Sequence, residues 1–156
     1  MSRMPRSRAD AKAMAEAQDV PAAQPPSPAD ALAACCPDLD EWPASWRYEE
    51  RDVAPGQGMV ECFKPFLRHL LSLDLSRKTL HTHRDNLWLL GGELIRDLHE
   101  TPRLRKRPIA ELVLAAVDEE GGPLIGHGAS EDQQRAFDAT CRKLYRFLKG
   151  SNSSCR

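Results

Sequence analysis

The sequence predicts an all-α fold, and three observations carry that prediction. Apolar residues recur at helical spacing in four separate stretches, residues that cap or stop helices bound those stretches, and no segment alternates with period two long enough for a strand. A chain of 156 residues suits one domain with its own core. The organisation expected is a disordered Ala- and Pro-rich tail over 1–37, an aromatic segment over 38–58 folded onto the domain, a four-helix bundle over 59–150, and a disordered end over 151–156.

The bundle is organised around SRKTLHTHRDNLWLLGGELIRDL, from Ser76 to Leu98. Leu80, Leu87, Gly91, Leu94, Ile95 and Leu98 share one stripe of a helix and must be buried. Ser76 is placed to cap its first turn, with Asp74 near the positive end of the dipole. Gly91 interrupts the stripe at a cost of roughly 1 kcal/mol in helix propensity, which close approach of a second helix would offset.

Before it, VPAAQPPSPAD and its surroundings hold scarcely any large apolar residue, so the tail cannot bury enough surface to offset the entropy of ordering it. Trp42, Trp46 and Tyr48 then gather within a few residues. Aromatics bury large areas and favour packing; a stacking platform for bases is opposed by the surrounding Asp38, Asp40, Glu41, Glu49, Glu50 and Asp52. MVECFKPFLRHLLSL, from Met59 to Leu73, is the first core helix, either kinked at Pro65 or starting there.

After it, HETPRLRKRP forms a loop held extended by two prolines, and its Arg103, Arg105, Lys106 and Arg107 could join a phosphate-contacting face. Pro108 opens a third helix whose Ile109, Leu112, Val113 and Ala116 face inward, stopped by Gly121, Gly122 and Pro123. Ser130 and Gln133 have capping-box spacing at the start of the last helix, which buries Phe137, Cys141, Leu144 and Leu148 and ends at Gly150.

The formal net charge is −1, but Val60–Gly150 carries 15 Lys and Arg against 13 Asp and Glu, whereas Ala13–Met59 carries 2 against 9. Arg135, Arg142, Lys143, Arg146 and Lys149 fall on the face of the last helix opposite Phe137 and Leu148. Such a stripe is either a solvated outer face or a surface that contacts phosphates. Arg77, Lys78 and Arg84 at the start of the central helix could join it. Trp88 and Leu89 lie off the apolar stripe, positioned to meet either the aromatic segment or a partner protein.

Other chemistry is poorly supported. His81 and His83 point different ways on a helix, and none of His69, His99 and His127 makes an i,i+4 pair, so no metal site is expected. Cys35, Cys36, Cys62, Cys141 and Cys155 form no C-x-x-C pair, and adjacent Cys35 and Cys36 are poorly placed to grip one zinc. Reduced thiols, the lack of a secretory signal and the lack of any apolar run of about 18 residues point to the cytoplasm and away from membranes. GGPLIGHG follows a helix rather than a strand, unlike a nucleotide loop. Neither an enzyme nor a cofactor is expected.

The order FLRHLLSLDLSRKTLHTHRDNLWLLGGEL, RPIAELVLAAVDEEGG and SEDQQRAFDATCRKLYRFL resembles the SAM-like, core-binding N-terminal domain of tyrosine recombinases and phage integrases. Thr79 falls at that family's threonine, and Leu144, Tyr145 and Leu148 at its closing aromatic motif. The resemblance implies a four-helix domain that clamps duplex DNA by its backbone, with the second and fourth helices nearest the phosphates. Arg77, Lys78, Arg84, Arg142, Arg146 and Lys149 are then the expected contacts. The recombinase catalytic domain has no counterpart here; His81 and Arg84 spell H-x-x-R, but inside the N-terminal module, so no catalytic role transfers. The alternatives are a protein-interaction subunit, using Trp88 and Leu89 to meet a partner such as a full-length recombinase, and a helix-turn-helix regulator in which Ser76, Arg77, Lys78 and Thr79 open the recognition helix.

Overall fold

The computed structural model describes residues 27–126 and 128–154. The chain divides after Ala31, and the core belongs to Leu32–Arg156. In order, the elements are α1 (Pro28–Cys35), a 3-10 turn (Leu39–Glu41), α2 (Trp42–Trp46), a 3-10 turn (Glu50–Asp52), α3 (Val53–Ser72), α4 (Arg77–Glu100), a 3-10 turn (Pro102–Lys106), α5 (Ile109–Ala116) and α6 (Glu131–Ser154). There is no strand among the described residues; one isolated bridge joins Asp118 and Gly121. The all-α class is therefore observed, with six helices among the described residues: α3 to α6 correspond to the four expected over 59–150, and α1 and α2 precede them.

The central helix is the one the sequence marks. Ser76 Oγ accepts the Thr79 amide at 3.1 Å, and Leu87, Gly91, Leu94, Ile95 and Leu98 are buried, whereas Leu80 is only half-buried. α3 and α6 pack on α4, with Phe63, Phe66, Leu67 and Leu70 from one side and Phe137, Cys141 and Leu144 from the other. The Ser130–Gln133 capping box is present in both directions, at 3.1 and 2.8 Å.

Four boundaries differ from expectation. Composition assigns 28–35 to the tail, yet Ser27 Oγ accepts the Asp30 amide, the segment is helical, and Leu32 and Cys36 are buried. The tail expected over 1–26 lies outside the described residues. α3 starts at Val53, not Met59 or Pro65. Pro55 falls in its first turn, where a missing amide hydrogen costs no intrahelical bond, and Pro65 is accommodated inside the helix. The Arg103–Arg107 loop is coiled into a 3-10 turn rather than extended. α6 runs through Gly150 to Ser154, so residues 151–154 are helical; Cys155 and Arg156 lie outside the described residues.

The aromatic segment folds onto the bundle, and it supplies the partner that Gly91 requires. The Trp46 indole covers Gly91 so closely that a Cβ there would lie 2.2 Å from the ring. Its Nε1 donates to the Trp88 carbonyl at 2.9 Å. A side chain, rather than a second helix, exploits the missing methyl.

Candidate polyanion interface

Two contacts decide which cations lie near one another. Phe147 of α6 packs on Phe66 and His69 of α3, with ring centroids 5.5 and 5.1 Å away. Thr140 Oγ1 of α6 lies 2.7 Å from His83 Nδ1 of α4, while Asn86 Nδ2 donates to Thr140 Oγ1 and to the Ala136 carbonyl. As α4 advances from 83 to 86, its partners on α6 recede from 140 to 136, so the two helices are antiparallel. The end of α3, the start of α4 and the second half of α6 thus meet at one end of the bundle.

That end is cationic. Residues 66–83 and 143–150 contain Arg68, Arg77, Lys78, Lys143, Arg146 and Lys149 against a single carboxylate, Asp74. All six cations are exposed, and none has a carboxylate within ion-pair distance among the described residues; Lys149 Nζ lies 6.0 Å from the Tyr145 ring centroid. Arg77 and Lys78 occupy the first turn of α4, which holds no acidic residue. Cations there oppose the helix dipole, by roughly 0.3–1 kcal/mol each at a surface, and an external anion would relieve that repulsion.

The expected contacts separate into two groups. Arg77, Lys78, Arg146 and Lys149 belong to the cationic end. Arg84 does not: it pairs with Asp85 at 3.0 Å, and its Nη1 donates to the Cys35 carbonyl at 3.1 Å, so it is a brace holding the end of α1. Arg142 is half-buried and donates to the Glu120 carbonyl at 3.2 Å, which fastens the turn after α5 to α6. Arg135 pairs with Asp132, and in the 3-10 turn Arg105 points inward to Asp52.

Trp88 and Leu89 lie elsewhere. Trp88 is 40% exposed, but its Nε1 donates to Ser45 Oγ at 3.0 Å, so it meets the aromatic segment. Leu89 is half-buried on a ridge between two grooves. One, of about 600 Å³, is lined by Asp38, Trp42, Arg84 and Trp88; the other, of about 500 Å³, by Asn86, Ile125, Gly126 and Ala136.

Two buried polar clusters escaped the sequence reading. His83, Asn86 and Thr140 form a neutral seam between α4 and α6, in which His83 Nε2 has no partner. Burial, and then the charge of Lys143, pull the His83 pKa below its ordinary value. The other is Asp52, whose carboxylate accepts the Tyr48 and Glu49 amides at 2.8 and 3.0 Å and the Arg105 guanidinium. Burial alone would raise its pKa; the hydrogen bonds from Arg105 and the two amides outweigh that and hold it below the usual carboxylate range. The only sequence signal for the first was a pair of polar residues, His83 and Asn86, one turn apart beside Leu87.

Among the described residues no group of three or more His, Cys, Asp or Glu side chains is placed to hold a metal ion, and no helix is long and apolar enough to cross a membrane. No protein-family model, curated protein or solved structure matches this chain.

Proposed function

We propose that the chain is a non-catalytic helical module that contacts the backbone of duplex DNA through its cationic end, with Arg77, Lys78, Arg146 and Lys149 as principal phosphate contacts and Lys143 and Arg68 beside them. The supporting observation is the convergence of three helix segments carrying six cations and one carboxylate. The order of helices, which resembles an integrase core-binding domain, supports the same reading. Arg84 and Arg142 leave the contact set because each already serves an internal hydrogen bond.

Each phosphate neutralised releases condensed counterions, giving a salt dependence of about 0.9 in log K per contact. Titration of a short duplex at two salt concentrations therefore tests the proposal. Binding should weaken with salt, and Arg146→Ala/Lys149→Ala should reduce the slope by about 2. Lack of binding at low salt removes the reading. Arg84→Ala serves as a contrast, expected to alter stability rather than the slope.

A second reading is favoured by the ridge of Leu89 between its grooves, which suits a protein partner such as a recombinase subunit. Capture of a purified recombinase by the full chain, lost in Leu89→Asp while DNA binding persists, would support it.

A further inference from the structure

We propose that Cys35 and Cys36 form a chelating dithiol site for trivalent, thiophilic arsenic compounds. The two sulfurs lie 3.7 Å apart, with Cys36 Sγ directed at Cys35 Sγ. A disulfide requires about 2.05 Å between sulfurs. At 3.7 Å the two thiols are unbonded and in contact, near enough for one atom to bridge them after a small side-chain rotation.

The fold fixes the backbone that carries the two thiols. Cys35 ends α1 and Cys36 follows it, the Cys36 amide donates to the Leu32 carbonyl at 2.8 Å, and Arg84 holds the Cys35 carbonyl. The adjacent pair is therefore preorganised on its backbone. Cys35 is half-buried and gives access, while Cys36 is 2% exposed and closes the chelate from within. The absence of a third ligand among the described residues disfavours zinc; trivalent arsenic carries its own third substituent and needs only two sulfurs from the protein.

Burial, and then the neighbouring Cys35 thiol, push the Cys36 thiol far up, so at neutral pH it stays protonated and resists simple oxidation. Chelation proceeds without an oxidant. With an arsine oxide, two arsenic–sulfur bonds form, the arsenic–oxygen bond is lost, and the oxygen leaves as water with the two thiol protons. Arsenic remains trivalent. Cys62 and Cys141 are free and have no cysteine beside them in the sequence, so each offers one such bond, which excess monothiol reverses.

The probe is phenylarsine oxide added to the reduced full chain in excess 2-mercaptoethanol. One equivalent should be retained, and released by a competing dithiol. Intact mass and peptide mapping read the result, because the tryptic peptide 13–47 contains Cys35 and Cys36 and no other cysteine. The adduct should lie on that peptide and disappear in Cys35→Ser, a half-buried position whose replacement leaves the core intact. Retention by Cys35→Ser, an adduct on any other peptide, or no retention by the native chain would overturn the proposal.

Discussion

The two buried polar clusters, Asp52–Arg105 and His83–Asn86–Thr140, solve the same problem in opposite ways. Both lie where water is excluded, and both join segments distant in sequence: Asp52 is 53 residues from Arg105, and His83 is 57 from Thr140. At Asp52 the charge is kept, and both carboxylate oxygens receive donors. At His83 the charge is refused: the seam has enough partners for a neutral ring and none for the second nitrogen. A buried charge persists only when its partners are supplied by the fold; otherwise the group stays neutral.

The sharpest way to break this contrast is to remove one partner from each cluster. Arg105→Ala strands a carboxylate that is 0% exposed, and should destabilise the chain by about 3–5 kcal/mol in urea unfolding. Thr140→Val keeps the shape but removes the hydroxyl shared by His83 and Asn86, and should cost about 1–3 kcal/mol. If the two losses prove equal, the distinction between charged and neutral clusters is wrong.

Acid should sharpen the contrast further. Because the folded pKa of His83 is depressed, the unfolded chain takes up a proton that the folded chain refuses as pH falls below the ordinary histidine value of about 6.5. His83 therefore makes stability fall with decreasing pH in that range, by at most about 1.4 kcal/mol per pH unit for one proton. Asp52, also depressed, begins to withdraw its contribution only as pH falls below the unfolded carboxylate value of about 3.9. Denaturation midpoints of His83→Gln should be flatter than native between pH 7 and pH 5.5, and the two profiles should share their fall at lower pH.

The smallest stability effect is expected at the cationic end. Arg146→Ala/Lys149→Ala removes exposed charges with no carboxylate partner, and should shift unfolding by no more than about 0.5 kcal/mol per site. A large loss there would mean these cations serve the fold, contrary to their assignment.

Much of the scaffold was legible. The stripe from Leu87 to Leu98 and the caps at Ser76 and Ser130 depend on spacing within one helix, so local periodicity revealed them. α1 and the start of α3 were not legible, because Leu32, Cys36 and Gly56 acquire meaning only against surfaces supplied by other segments. The candidate site was half legible. Helical spacing put Arg142, Arg146 and Lys149 on one face, but spacing within a helix carries no sign that Arg142 reaches the Glu120 carbonyl or Arg84 the Cys35 carbonyl.

By itself, then, the sequence determined the helical class, the capped helix starts and the amphipathic faces, since these follow from bonds and periodicities spanning a few residues. Only the tertiary structure decided which cations stand free and which are braces, that Trp46 fills the place left by Gly91, and that Asp52 and His83 are interior. The reason is physical: a side chain's charge state and freedom depend on the donors, acceptors and apolar surface within a few ångströms, and folding brings most of those from distant positions along the chain.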